Sequence, residues 1–142
     1  MKLKKLRSKK RIIVIGNKSF IQKNFYELCK KRFEIKKIRF TKINSFQFNQ
    51  DDIVINCSQN KNFFNRNYIK KFDRNFKVAK ILSRKNSQLI LLSSRNVYKP
   101  KLDICENSQL KPIDIYGKNC LKSENNCKSV LKKLTILRLS NV

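Results

Sequence analysis

The chain contains no histidine and no tryptophan, one methionine, two glycines and two prolines, and its 9 acids face 35 lysines and arginines. Without histidine there is no Ser-His or Cys-His nucleophile and no imidazole base. The five cysteines, Cys29, Cys57, Cys105, Cys120 and Cys127, include no Cys-x-x-Cys pair, so no tetrahedral zinc site is expected and no metal is assigned. No apolar run approaches the ~18 residues of a membrane span. The basic start, residues 1–11, resembles the leading part of a secretion signal. The apolar stretch behind it, residues 12–15, falls far short of the ~7–15 residues such a signal needs. These absences, with an odd number of cysteines, lead to the expectation of a cytoplasmic protein with reduced thiols and no membrane partner.

What is present has ordinary globular character. The 142 residues suffice for one domain with a real core, and a 40% hydrophobic content exceeds that of a disordered chain. The net charge of +26 has two readings. Dense lysine and arginine release counterions from a phosphate backbone, as a nucleic-acid binder does. Lysine, asparagine, isoleucine and phenylalanine are also all encoded by AT-rich codons, and their joint enrichment reads as codon bias. The second reading is preferred, because the lysines are spread along the chain and no aromatic stacking segment interleaves them. Non-specific attraction of polyanions at low salt is expected either way.

A basic segment over 1–10 precedes a domain over 11–142. Residues 11–15 are a β-branched run ending at Gly16, which reads as a buried parallel strand. Phe20, Ile21, Phe25 and Leu28 recur at helical spacing and predict an amphipathic helix over 19–31. Residues 33–40 alternate as a second strand, and 41–50 are polar and irregular. Residues 52–57 read as a buried strand and 58–67 as an asparagine-rich loop. A long helix over 68–85 carries Phe72, Phe76, Val78, Ala79 and Leu82. A strand over 88–92 runs into Ser93 and Ser94. An extended loop over 95–111, a helix over 113–133 and a strand over 134–139 complete the pattern. Apolar strands alternating with helices predict an α/β fold with a parallel sheet covered on both faces. Such sheets bind ligands at the carboxyl ends of their strands, near the reversal of strand order. Gly16, Cys57 and Ser94 should therefore converge on one crevice.

Three segments carry chemistry. Gly16-Asn17-Lys18-Ser19-Phe20-Ile21-Gln22 joins a strand to a helix, where a tight glycine turn and a helix N-terminus can hold a pyrophosphate. Ser93-Ser94-Arg95-Asn96-Val97-Tyr98 follows a buried strand. Glu106, Pro112, Tyr116 and Gly117 stand in the spacing Glu-x5-Pro-x3-Tyr-Gly. In this order, with residues 135–142 as a closing strand, they resemble the NAD-dependent epimerase/dehydratase family, the extended short-chain dehydrogenases/reductases. The resemblance spans nearly the whole chain. It implies a Rossmann-like doubly wound parallel sheet of about five strands, lacking the substrate domain that ordinarily follows.

The resemblance also implies roles. Tyr116 takes the place of the acid/base, and Ser94 that of the hydroxyl which orients the substrate oxygen. Gly16, Ser19, Phe20, Ile21, Asn56, Cys57, Tyr116 and Cys120 take cofactor-binding places, for NAD or NADP. Where the family has Gly-x-x-Gly-x-x-Gly, this chain has Gly16, Ser19 and Gln22. Where it has a lysine four residues after the tyrosine, this chain has Cys120. That lysine lowers the tyrosine's pKa, which a neutral thiol cannot do. Lys118 and Lys122 each lie ~200° around a helix from Cys120's direction. No ribose-binding acid follows the second strand, and Arg39, Thr41 and Lys42 stand there instead; with a cofactor bound they lean toward NADP, and the preferred alternative is that they are surface residues of a lysine-rich chain. The implied function is a sugar-nucleotide or polysaccharide epimerase, dehydratase or reductase, impaired or inactive alone. A homo-oligomer or complementing chain could then supply the nucleotide-sugar pocket. A non-catalytic nucleotide-binding or regulatory domain and a basic nucleic-acid-binding protein are the alternative readings.

Overall fold

The computed structural model describes residues 10–16 and 19–140. Residues 1–9 of the basic segment, Asn17 and Lys18 of the glycine turn, and residues 141 and 142 lie outside the described residues. Five strands, β1 (Arg11–Ile15), β2 (Glu34–Ile38), β3 (Ile53–Asn56), β4 (Gln88–Ser94) and β5 (Leu134–Leu139), form one sheet in the order β2-β1-β3-β4-β5. Every pairing is parallel. This is a Rossmann-like, doubly wound α/β fold. Strand order reverses between β1 and β3, where Ile15 faces Ile38 on one side and Asn56 on the other.

Side chains alternate across the sheet, so each strand feeds two layers. Ile13, Ile15, Val54, Leu89 and Leu91 pack against Phe76, Val78, Ala79 and Leu82 of α3 (Arg74–Ser83) and Cys127 of α4 (Ile115–Val130). Ile12, Val14 and Ile55 point the other way, toward Phe25 of α1 (Phe20–Cys29). Each fully buried isoleucine or leucine contributes about 1.5–3 kcal/mol through apolar burial. At the end of the sheet opposite the strand tips, Arg11 grips buried Asp52 with two hydrogen bonds of 2.7 Å, fixing β1 against the start of β3.

Several sequence expectations require correction. The helix expected over 68–85 begins only at Arg74. Asp73 caps it, accepting from the Phe76 amide, and a separate 3-10 turn, Lys70–Phe72, precedes it. The apolar spacing ran across both elements, while the cap divided them. The loop expected over 58–67 contains a short helix, α2 (Lys61–Asn65), capped by Asn60. Residues 41–50 form no strand, as expected, yet Ile43 and Phe48 are buried in the main core. On α1, the expected apolar stripe packs only in part: Phe25 meets the sheet, but Phe20 and Leu28 are 70% and 79% exposed, and Gln22 is the buried residue of that helix.

Candidate functional site

The strand order places the tips of β1, β3 and β4 side by side, and helices α1 and α4 start above them. Between them lies a cleft of about 760 Å³. Ser19, Phe20, Ile21, Asn56, Cys57, Ser94, Tyr116 and Cys120 all line it. Gly16 sits just behind, in an adjoining groove, with its backbone against Cys57. Every residue given a catalytic or cofactor-binding place by the resemblance is thus at this end of the sheet.

Gly16 has φ +154°, a conformation that L side chains rarely adopt, and a Cβ there would lie 3.4 Å from the Cys57 Cβ. The turn is therefore tight where a phosphate would approach. The next two positions are filled. The Ser19 hydroxyl caps α1, accepting from the Gln22 amide at 3.1 Å. The Gln22 side chain folds beneath the turn and donates to the Gly16 carbonyl at 3.2 Å. Gln22 thus brings its own hydrogen bond to the place where a third glycine would only let the helix close on the strand.

Tyr116 lies in the first turn of α4. Asp114 caps that helix through the Gly117 amide and also accepts from Asn96 Nδ2 at 2.9 Å. A Cβ at Gly117 would stand 2.2 Å from the Asn96 carbonyl oxygen, so the helix can press onto the Arg95–Val97 turn only with glycine there. Here lies the physical reason for the Tyr-Gly pair. The Tyr116 ring stacks on Phe64 at 5.1 Å and meets Phe63 edge-on. Ser94 is buried at the end of β4, and its hydroxyl accepts from the Asn96 amide at 3.2 Å.

Electrostatics around Tyr116 oppose ionisation. Burial raises its pKa, and the neighbouring Cys120 raises it further. Burial likewise pushes the Cys120 thiol up to about 12 and the Cys57 thiol up to about 11. Lys118 and Lys122 are exposed, on the far side of α4 from the cleft. No charged side chain lines the cleft among the described residues.

The sequence reading missed a polar network at the base of the site. Glu124, 0% exposed, accepts from the Ser93 hydroxyl at 2.6 Å and from Arg138 of β5 at 3.0 and 2.7 Å. Arg138 also donates to the Tyr98 hydroxyl at 2.7 Å, and Glu124 holds its guanidinium pKa above the ordinary value. One signal for it existed: Glu124 is the single acid within α4, eight residues from Tyr116, and Arg138 is the single charge within β5. Another buried carboxylate, Asp73, binds Tyr68 and Ser123 in addition to its cap.

A smaller groove at the end of β2 is lined by Lys23, Tyr26, Glu27, Lys37 and Arg39 along with Gly16. Glu27 is paired with Lys30 and Lys37 lies 4.0 Å over the Tyr26 ring, which leaves the groove strongly positive. Of the three residues expected after the second strand, Arg39 lines this groove and Thr41 and Lys42 do not.

Compared with known proteins, this is a Rossmann-like α/β domain by fold. By sequence, no family model and no curated protein matches the chain. Among solved structures it is similar to a dTDP-4-dehydrorhamnose reductase from Bacillus anthracis in complex with NADP, with TM-score 0.71 and 19% identity over 93% of this chain and 53% of that one. A dTDP-4-dehydrorhamnose reductase from Clostridium acetobutylicum gives TM-score 0.69 and 19% identity over 90% of this chain and 52% of that one. UDP-glucuronic acid 4-epimerase from Bacillus cereus in complex with NAD gives TM-score 0.67 and 18% identity over 92% and 57%. The chain therefore spans about half the length of these relatives. Among the described residues, no helix is long and apolar enough to cross a membrane.

Proposed function

We infer that this chain is the nucleotide-binding portion of a sugar-nucleotide reductase, epimerase or dehydratase, that it binds a nicotinamide dinucleotide, and that alone it does not turn over. The observation that carries this is the gathering of Ser19, Asn56, Ser94 and Tyr116 around one cleft at the strand tips, with Gly16 in the groove beside it. The cleft fits the cofactor in three respects. Its volume suits a small organic ligand, Gly16 holds the turn at a φ that side chains rarely adopt, and the α1 N-terminus stands beside it. Ser19, Phe20, Ile21, Asn56, Cys57 and Cys120 would hold the nucleotide, and Lys23, Lys37 and Arg39 favour the extra phosphate of NADP. When bound, the nicotinamide supplies or accepts a hydride at a sugar carbon.

The chain's own residues explain the lack of turnover. Ser94 can donate its hydroxyl proton to a substrate oxygen while its oxygen still accepts from the Asn96 amide. Tyr116 keeps its proton at neutral pH, because it is buried beside a thiol instead of an ammonium. It can orient a hydroxyl but not remove its proton. The sugar nucleotide would be held by a further domain or a complementing chain, homo-oligomeric or not, since these relatives are about twice as long. Free thiols throughout support a reducing, cytoplasmic setting.

Fluorescence titration with NADPH and NADH tests the binding. Saturation by both, tighter for NADPH and persisting at high salt, is expected. If neither saturates, the reading fails. Cys120→Lys tests the chemistry: ultraviolet titration should show one tyrosine ionising at lower pH than in the parent chain. An unchanged titration in a folded variant would place Tyr116 and residue 120 outside this partnership.

A further inference from the structure

The lysines that look scattered in sequence are not scattered on α3. At ~100° per residue, Lys77, Lys80 and Arg84 fall within an arc of about 60°, opposite the buried Asn75, Val78, Ala79 and Leu82. Arg74 continues the arc at the start of the helix, and Lys70 and Lys71 lie on the turn before it. Two aromatic rings hold four of these cations. Phe40 has the Arg74 guanidinium at 4.5 Å and the Lys77 ammonium at 5.6 Å, while Phe76 has Lys70 at 4.6 Å and Lys80 at 5.7 Å. Across residues 53–102 the single acid is Asp73, and it is 1% exposed, so no surface carboxylate on these elements neutralises the stripe. None of these residues lines the strand-tip cleft.

We propose that the exposed face of α3, with the Lys70–Phe72 turn, is a docking surface for the phosphate backbone of a nucleic acid, independent of the nucleotide cleft. Charge complementarity identifies the partner. Lys77 to Arg84 spans about 10 Å of helix, a length along which duplex DNA presents about six phosphate charges. The recognition is of backbone charge, because the feature that points to the partner is a row of cations matched to a row of phosphates. Binding is accordingly indifferent to sequence and steep in salt.

The test uses the full chain and a random-sequence DNA duplex, with affinity measured across a salt series. The variant Lys77→Gln/Lys80→Gln/Arg84→Gln should flatten the slope of log K against log salt by about 2 to 3, since each duplex contact contributes about 0.9. A control, Lys99→Gln/Lys101→Gln/Lys111→Gln, removes three exposed charges elsewhere and should flatten it by less than about 1. The charge-keeping swap Lys77→Arg/Lys80→Arg/Arg84→Lys should bind as the parent does. Equal losses in the two glutamine variants would mean that overall charge, not the stripe, does the binding, and would overturn the proposal. So would a stripe variant whose duplex binding is unchanged but whose adsorption to phosphatidylglycerol vesicles is lost. NADPH affinity in the stripe variant reports separately on the cleft.

Discussion

Removing the Glu124 carboxylate is the sharpest available perturbation of this domain. Glu124 is wholly buried and accepts three hydrogen bonds, one from Ser93 and two from Arg138. The Arg138 side chain is itself only 18% exposed. Glu124→Ala strands a guanidinium with the Tyr98 hydroxyl as its remaining acceptor and leaves the Ser93 hydroxyl without one. Breaking a buried pair from one side costs about 3–5 kcal/mol. For a domain of this size that corresponds to a fall in Tm of roughly 10–15 °C. Arg138→Ala should cost a similar amount, since it leaves the carboxylate uncompensated. The double variant Glu124→Ala/Arg138→Ala should lose much less than the two single losses added together, because no charge is then left buried without its partner. Urea unfolding of the four proteins measures this as a coupling energy of at least about 2 kcal/mol, with m-values unchanged. Additive losses, or a single-variant cost below about 1 kcal/mol, would refute the reasoning. They would mean that water reaches the pair and that the network does not brace the end of β4.

Two further outcomes are expected. Gly117→Ala should destabilise by about 1–3 kcal/mol or more from overpacking against the Asn96 carbonyl, outweighing the ~1 kcal/mol that alanine gains in a helix; a thermal melt at or above the parent's would show that the α4 contact yields freely. Cys105 is exposed, and the Ser108 hydroxyl followed by the Asn107 amide lowers its thiol pKa. Burial instead raises Cys57 to about 11 and Cys120 and Cys127 to about 12. A thiol reagent at mildly alkaline pH should therefore modify Cys105 in a fast phase whose rate grows as pH rises through that lowered pKa, well before Cys57, Cys120 and Cys127 ionise. Persistence of the fast phase in Cys105→Ser would contradict this.

Much of the framework was legible in the chain itself. Buried parallel strands must be continuous apolar runs, and Ile12–Ile15, Ile53–Ile55 and Leu89–Leu92 announce themselves without reference to anything distant. Gly16 and Gly117 stand out because only two glycines exist, and each occupies a place where a side chain would strain or collide. Local periodicity was less faithful on α1, where Phe20 and Leu28 face solvent and a glutamine packs inward. It also failed at Asp73, whose capping role depends on a turn that hydropathy does not register.

Local sequence alone determined that this chain would build strands and helices in alternation and where the tight turns would fall, because those depend on neighbours a few residues apart. Only the tertiary structure decided which strands lie side by side, and so which residues, far apart in the chain, meet at one end of the sheet. The same long-range packing buried Glu124 against Arg138 and hid Asp73. Burial and charge neutralisation are properties of surfaces that form only when the whole sheet closes, and no short window of sequence contains them.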